Sequence, residues 1–313
     1  MYYIGVDLGG TTIKAGLVNE KYEILMAKSL PTNRERGANE ILKDMALLCK
    51  QLISENNLEE KDIASIGIGC PGLASAKDGI IFSSSNLNFT NVNVKSIMSS
   101  YIDLPIYVEN DANCAAFGEV LAGAAQGEKE AVIVTIGTGV GGGLILDGKI
   151  HRGGFFGAGE IGHQVINIHE TNSCGCGRKG CWEQYASATA LVKAATTAAA
   201  NHPESLLAKN EEINGKVIFD AAKAGDQVAL DVLDNFYSYL AQGVVNLINI
   251  LEPNVVVIGG GISAQKDYII QPIKQKVQAQ MYGGLDMKTE IKAAQLGNDA
   301  GIIGAAFLEK SVI

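Results

Sequence analysis

The sequence predicts an α/β protein built from two related lobes. The chain has 313 residues, which suits two domains of roughly 100 to 200 residues each. Hydrophobic residues make up 47% and charged residues 19%, so apolar material for packed cores is ample. A pattern of apolar strand, turn rich in Gly and Thr, and second apolar strand occurs over 2–18 and again over 132–146. Strands and helices alternate between these hairpins, as is typical of α/β lobes.

The first lobe opens with the hairpin over 2–18. Apolar spacing and end signals then predict the elements that follow. They are a helix from about 38 to 55, a strand near 63–69, a short strand at 106–108, and a helix that begins at Asp111 and ends by Gly123. The first lobe therefore covers residues 1–118.

The second lobe opens with the hairpin over 132–146 and is mainly helical after a cysteine-rich loop. Its predicted elements are an alanine-rich helix over 186–200, a long helix over 228–251, and a buried strand over 255–258 that runs into the glycine turn 259–261. A closing helix over about 300–308 is expected to pack back on the first lobe. We therefore assign 119–299 to the second lobe and 300–313 to the first.

Net charge and the N-terminal residues argue against two kinds of partner. The formal net charge of -9 is repelled by phosphate backbones, and no stripe of Lys and Arg offsets it, so we expect no nucleic-acid partner. The start, Met1 to Asp7, contains an acid, lacks a basic region and builds no long apolar run. We expect a cytoplasmic protein with no membrane partner.

Three glycine-rich turns, at 9–12, 137–143 and 259–261, each follow an apolar strand. Backbone N–H groups reach a polyphosphate only where no Cβ blocks the approach, although a single such turn is more often just a tight turn. The first two turns add the hydroxyls of Thr11, Thr12 and Thr138. Together they favour a nucleotide held between lobes, in a site that matches neither the P-loop nor the dinucleotide fingerprint.

Two carboxylates lie at strand ends. Asp7 precedes the first turn, where it either faces a metal ion on the phosphates or hydrogen-bonds the turn itself. Asp111 stands at the exit of a short strand and the entry to a helix. It is either a helix N-cap or a base that accepts the proton of an attacking hydroxyl.

A cysteine cluster predicts a metal site. Cys174, Cys176 and Cys181 lie within eight residues, separated by glycines, and in a reducing compartment this spacing favours metal binding over a disulfide or unliganded thiols. Structural Zn²⁺ needs four ligands, and His163 is the nearest upstream donor, with His169 as its rival. If one nitrogen of His163 binds zinc, the other is free for a substrate oxygen.

Seven motifs, in this order along the chain, carry a resemblance to a known family. They are Asp7-x-Gly9-Gly10-Thr11-x-x-Lys14, Gly69-Cys70-Pro71-Gly72, Glu109-Asn110-Asp111-Ala112, Gly137-Thr138-Gly139-x-Gly141-Gly142-Gly143, Glu160-x-Gly162-His163, Cys174-Gly175-Cys176-Gly177-x-x-Gly180-Cys181-x-Glu183 and Gly259-Gly260-Gly261. The chain resembles the ROK sugar kinases, and within them the bacterial glucokinases. The resemblance implies a two-lobed, actin-like ATPase (ribonuclease H-like) fold with ATP in an interlobe cleft.

The resemblance also implies roles for individual residues. Asp111 looks like the catalytic base. The hexose is assigned to Gly72, Asn86, Asn110, Asp111, Glu160, His163 and Glu183. ATP is assigned to Asp7, Gly10, Thr11, Thr12, Lys14, Thr138, Gly139 and Gly260, with Mg²⁺ completing the reaction. A structural Zn²⁺ in the second lobe is assigned to His163, Cys174, Cys176 and Cys181.

The implied activity is ATP-dependent phosphorylation of a hexose, with glucose converted to glucose 6-phosphate, by a homodimer or larger homo-oligomer. One loop departs from the family pattern: it reads Asn86-Leu87-Asn88-Phe89 where the glucokinases have Asn-Leu-x-Trp. N-acetylmannosamine, fructose, allose or a β-glucoside therefore remain alternative acceptors. A sugar-sensing ROK-type transcriptional regulator is the alternative from another class. Such relatives carry a helix-turn-helix before the first strand, whereas this chain starts directly with the strand.

Overall fold

The computed structural model describes residues 1–76 and 78–312. The chain forms two compact units. The first unit comprises Met1–Ala131, Gly143–Gly159 and Gln295–Ile313, and the second comprises Val132–Gly142 and Glu160–Ala294. The architecture is mixed α/β, as the sequence predicts.

The strands are β1 (Tyr2–Leu8), β2 (Thr12–Asn19), β3 (Ile24–Pro31), β4 (Ile63–Cys70), β5 (Leu73–Ser75), β6 (Ile80–Ser84), β7 (Phe89–Asn93), β8 (Ile106–Asn110), β9 (Ala131–Ile136), β10 (Val140–Leu146), β11 (Lys149–Ile150), β12 (Val255–Gly259) and β13 (Glu290–Ala293). The α-helices are α1 (Ala38–Glu55), α2 (Val94–Met98), α3 (Asp111–Ala122), α4 (Glu183–Ala186), α5 (Ala188–Asn201), α6 (Gly215–Lys223), α7 (Gln227–Leu251), α8 (Asp267–Gln278), α9 (Ala300–Ala306) and α10 (Glu309–Val312). No helix in these described ranges is long and apolar enough to cross a membrane.

The predicted long helices are confirmed, and their ends follow local chemistry. Helix α7 begins after Asp226, whose side chain accepts a hydrogen bond from the backbone N–H of Ala229. The alanine-rich helix starts at Ala188 rather than at 186. The reason is that Ser187 is its N-cap and accepts from the N–H of Ala190, so the preceding residues form the separate short helix α4.

The sheet of the first unit brings three parallel strand ends to one edge. Its order is β3-β2-β1-β4-β8, with β1 antiparallel to β2 and parallel to β4, and β4 parallel to β8. The register places Asp7 beside Gly69, and Gly69 beside Glu109. Because carboxyl ends of parallel strands meet at one edge, the loops after β4 and β8 start close to Asp7.

Helix α9 lies against β1 and α3 at very short range. A Cβ at Gly5 of β1 would collide with the carbonyl oxygen of Ile302, and a Cβ at Gly304 would collide with that of Cys114 in α3. Small residues are required at these crossings because any side chain would force the backbones apart. The C-terminal segment is thus built into the first unit.

A second five-stranded sheet has the order β11-β10-β9-β12-β13, and a three-stranded sheet has the order β5-β6-β7. In the second sheet β10 is antiparallel to β11, and β12 is parallel to β13. The small sheet is antiparallel throughout. Strands β1 and β2 are neighbours in one five-stranded sheet, and β9 and β10 are neighbours in the other, so each predicted hairpin supplies a strand pair.

Candidate functional site

The carboxyl edge of the first sheet holds two carboxylates, Asp7 and Asp111. Burial raises the pKa of Asp7, the nearby charge of Asp111 raises it further, and Lys14, its cross-strand neighbour on β2, lowers it in part. Desolvation also raises the pKa of Asp111, against the opposing effect of backbone N–H groups.

The N-cap interpretation of Asp111 is wrong. Asn110 caps α3, because its Oδ1 accepts from the N–H groups of Ala112 at 2.9 Å and Asn113 at 3.2 Å. Asp111 is the first helical residue, and its residue surface is open to solvent. Its Oδ1 accepts from Ala112 N at 2.8 Å.

Gly72 is tied to the same edge. Asn110 Nδ2 donates to the carbonyl oxygen of Gly72 at 3.1 Å. Gly72 has φ +100, and a Cβ there would collide with the carbonyl oxygen of Ser83. This position therefore requires glycine. The structure thus brings together Asp7, Gly72, Asn110 and Asp111 of the predicted site.

The β1–β2 turn lines an open cavity of about 550 Å³ within the first unit. Gly10, Thr11 and Asn86 form part of its wall, together with Pro31, Asn33, Arg34 and Glu35. A Cβ at Gly10 would lie 2.9 Å from the carbonyl oxygen of Asn86, so the absence of a side chain allows the two loops to approach. Thr12 is the first residue of β2.

Phe89, which stands where the glucokinases have Trp, does not line this cavity. Phe89 is 3% exposed and Leu87 is fully buried, and both belong to the hydrophobic core of the first unit. Asn86 and Asn88 are exposed beside them, and Asn88 has a φ of 57°. The change from Trp to Phe thus falls on core packing, while the polar residues of the loop face solvent.

In the second unit, two of the predicted nucleotide turns have a glycine in close contact with another segment. Gly260 has φ +83, and a Cβ there would collide with the backbone of Ile136 at the end of β9. Gly139 lies in the β9–β10 turn, where a Cβ would meet a carboxylate oxygen of Glu183. Thr138, beside it, is exposed.

His163, Cys174, Cys176 and Cys181 form a cluster that could hold a metal ion. One ligand atom from each lies within 4.8 Å of the ligand atoms of the other three. His163 Nδ1 is 3.7 Å from the Cys174 sulfur, and the Cys176 and Cys181 sulfurs are 3.6 Å apart. His169, the rival donor, is not in the cluster.

One carboxylate lies near each imidazole nitrogen of His163. Glu183 Oε1 lies 3.7 Å from His163 Nδ1 and accepts a hydrogen bond from the Cys174 thiol at 2.8 Å. Glu160 Oε2 lies 3.9 Å from the other imidazole nitrogen, Nε2. The structure therefore brings together all three second-unit residues that we assigned to the hexose, and it places them at the His/Cys cluster.

Two residues that support these groups were not predicted. Trp182, between Cys181 and Glu183, is fully buried, donates from Nε1 to the carbonyl oxygen of Tyr239 at 2.8 Å, and packs against Gly243 of α7. Arg152 binds the carboxylate of Glu109, which lies 43 residues earlier. Neither contact has a sequence motif, because both depend on how distant segments pack.

Comparisons with known proteins agree with this architecture. The model of the ROK family matches residues 3–312. A glucokinase from Halalkalibacterium halodurans is 38% identical over 99% of this chain and 95% of its own length. The crystal structure of a ROK family glucokinase from Streptomyces griseus, in complex with glucose and AMPPNP, superposes with a TM-score of 0.81 at 35% identity. It covers 98% of this chain and 99% of that one.

A xylose repressor from Bacillus spizizenii is also similar. It is 30% identical over 97% of this chain, which spans 75% of the repressor. The chain is thus similar over nearly its whole length both to a glucokinase and to a xylose repressor. This chain belongs to the ROK family.

Proposed function

We propose that this protein is an ATP-dependent hexose kinase that converts glucose to glucose 6-phosphate. The observation that carries the proposal is the carboxylate of Asp111. It stands at the carboxyl edge of the first sheet as the first residue of α3, and its pKa is raised by desolvation. A glucokinase from Halalkalibacterium halodurans, 38% identical over nearly the whole length of both chains, supports glucose as the acceptor.

Asp111 accepts the proton of the attacking hexose hydroxyl. A carboxylate with a raised pKa binds that proton more strongly than an ordinary aspartate does, and so it is the better base once it is ionised. Asn110 orients it by capping α3. Because phosphoryl transfer makes few covalent demands on the protein, most of the rate comes from this positioning and from electrostatic stabilisation.

The nucleotide is assigned to the glycine-rich turns. We assign ATP to Gly10, Thr11, Thr12, Lys14, Thr138, Gly139 and Gly260. Asp7 would hold the Mg²⁺ that accompanies the phosphates. Its partly buried carboxylate suits a cation, since its raised pKa reflects lost solvation and a neighbouring negative charge. When bound, Mg²⁺ neutralises charge on the transferring phosphoryl group.

The hexose hydroxyls are assigned to polar groups, most of them side chains. We assign them to Gly72, Asn86, Asn110, Asp111, Glu160, His163 and Glu183. His163 has a double role: Nδ1 faces the cysteine sulfurs, while Nε2 faces away from them toward Glu160. A histidine that binds a metal through one nitrogen is fixed in orientation, and its second nitrogen can hydrogen-bond a sugar oxygen.

The His/Cys cluster would hold a structural Zn²⁺. Three sulfurs and one imidazole nitrogen are a donor set that zinc prefers, and four protein ligands leave no open position. A tetrahedral Zn²⁺ with Zn–S bonds of about 2.3 Å keeps its sulfur ligands about 3.8 Å apart. The observed separation of 3.6 Å between the Cys176 and Cys181 sulfurs fits that requirement.

The resemblance to ROK sugar kinases also motivates two broader proposals. The protein acts in the cytoplasm, where ATP is available and the three clustered thiols stay reduced. It assembles as a homodimer or a larger homo-oligomer. Light scattering tests the assembly: a species of about 33 kDa, the mass of one chain, contradicts it.

A coupled ADP-release assay tests the activity. Glucose should give the highest kcat/KM in a panel with N-acetylmannosamine, fructose, allose and a β-glucoside. Asp111→Asn should retain glucose binding by calorimetry and lose turnover by about 10²- to 10⁴-fold, since the variant lacks the base. Turnover that survives this substitution removes Asp111 from the mechanism. Sugar binding without ADP release from any hexose favours a sugar-sensing regulator.

A further inference from the structure

Glu109 is a buried carboxylate immediately before the proposed hexose-binding residues. It belongs to β8, is 2% exposed, and precedes Asp111 by two positions. Its Oε1 accepts from the backbone N–H of Asn110 at 2.9 Å and from Asn113 Nδ2 at 3.0 Å. This carboxylate therefore fastens the end of β8 to the first turn of α3.

Arg152 supplies the positive charge that a buried carboxylate requires. Its Nε donates to Glu109 Oε2 at 2.5 Å, and its side chain is 16% exposed. Nη1 donates to the carbonyl oxygens of Ile150 at 3.4 Å and Ser311 at 3.1 Å, and Nη2 donates to Ser311 Oγ at 3.2 Å. A lysine ammonium cannot reproduce this planar set of donors.

Ser311 closes the network from the C-terminal helix α10. It is 2% exposed, and its Oγ also accepts from the backbone N–H of Ile150 at 3.2 Å. Strand β11 and helix α10 thus hold the guanidinium of Arg152, and the guanidinium holds Glu109. All of these residues belong to the first unit.

We propose that Arg152 is a positioning residue for Asp111. It neutralises and orients Glu109, which fixes the backbone of the α3 cap residue Asn110 and hence the direction of the next side chain. The inference rests on the proposed function, because it takes Asp111 as the base. A displaced base slows proton transfer, whereas five of the seven residues assigned to the hexose lie outside the β8–α3 turn, so kcat should fall far more than KM rises.

Arg152→Lys is the primary test, with Arg36→Lys as its matched control. Arg36 also donates to a carboxylate at 2.5 Å, that of Asp44, but its side chain is 38% exposed and the pair lies at α1. We expect Arg152→Lys to lower kcat about 10- to 100-fold with KM for glucose and ATP within about threefold. Arg36→Lys should keep wild-type values. A kcat within threefold of wild type for Arg152→Lys overturns the proposal.

An Asp111→Asn background separates positioning from direct catalysis. If Arg152 acts through Asp111, Arg152→Lys should reduce the residual turnover of Asp111→Asn by less than about threefold. A reduction as large as in the wild-type background shows that Arg152 acts independently of Asp111 and overturns the inference.

Hydrogen exchange provides a readout that does not depend on the proposed activity. In Arg152→Lys, the backbone amides of Asn110 and Ala112 should exchange at least about tenfold faster. The reason is that the Asn110 amide donates to the Glu109 carboxylate, and the Ala112 amide donates to the Asn110 side chain that caps α3. Unchanged exchange there overturns the positioning role even if the wild-type protein phosphorylates no hexose. If Arg152→Lys does not fold, Ser311→Ala takes its place, and wild-type exchange and kcat in that variant contradict the proposal.

Discussion

At the scale of single residues, the site is built around two carboxylates, Asp7 and Asp111, whose ionised forms are destabilised by folding. Burial and the charge of Asp111 raise the pKa of Asp7, and desolvation raises the pKa of Asp111. A carboxyl group with a raised pKa in the folded state binds its proton more tightly there than in the unfolded chain. The ionised carboxylate therefore lowers the stability of the folded protein at neutral pH. The proposed function requires this ionised form, because only it can accept a proton.

Asp111→Asn should consequently be more stable than the wild type near neutral pH. The gain should be under about 1 kcal/mol, because the residue is open to solvent and screening is strong. The wild-type carboxyl groups contribute favourably below their ordinary pKa of about 4 and lose that contribution as pH rises through the raised values. The difference in Tm between variant and wild type should thus be smallest near pH 4 and grow as pH rises through the raised pKa of Asp111.

Thermal unfolding followed by circular dichroism across this pH range measures the difference. Asp103→Asn, a change to an exposed aspartate in a loop of the same unit, is the control and should show no such trend. A variant less stable than the wild type at pH 8 would show that the Asp111 carboxylate helps to hold α3 in place instead of straining it.

At the scale of elements, the position of α3 depends on α9. The two helices approach so closely that Gly304 lies against the backbone of Cys114, and Gly118 lies against that of Ala300. Helix α9 also rests on β1 at Gly5. The strand that ends near Asp7 and the helix that begins at Asp111 are therefore held by the same C-terminal segment.

Gly304→Ala should destabilise the protein by about 3 kcal/mol or more, because its Cβ would collide with the carbonyl oxygen of Cys114 and the packed backbone cannot yield. Gly301→Ala, in the same helix, has nothing within 4 Å of the added Cβ. It should gain up to about 0.5 kcal/mol from helix propensity. Urea unfolding of both variants measures the contrast, and equal stabilities would argue against a tight α3–α9 crossing.

The elements near the proposed site could be predicted because their sequence signals are local. The apolar runs of β1, β4 and β8, and the change from a strand pattern to a helix pattern at Asp111, depend only on neighbouring residues. The structure confirms the positions of these elements. The cysteine spacing likewise indicated a cluster, and the structure brings the three thiols to His163. What the sequence could not provide was long-range pairing. Strand β3 has no fully buried residue, and β5, β6 and β7 are only three to five residues long, so their local apolar signals are weak. Arg152 meets Glu109 only in the folded chain.

At the scale of the whole molecule, each unit contributes separate chemistry. The first unit is assembled from three stretches of the chain and holds Asp7 and Asp111, whereas the second holds the His/Cys cluster with Glu160 and Glu183. In the second unit, Cys181, Trp182 and Glu183 are consecutive. A member of the His/Cys cluster, a buried side chain packed against α7 and a proposed hexose ligand therefore share one backbone segment. Loss of the proposed metal ion should therefore weaken hexose binding.

Cys176→Ala should show this coupling. Metal analysis of the wild type should find about one zinc per chain, and the variant should lose it, because three remaining ligands cannot close the tetrahedron. Glucose affinity by calorimetry should fall by at least about tenfold, since His163 loses the ion that orients it. The fluorescence of Trp182, the single tryptophan, should change as its loop loosens. His169→Ala is the control and should keep zinc, affinity and fluorescence; a zinc-free Cys176→Ala that binds glucose normally would show that the cluster does not brace the sugar site.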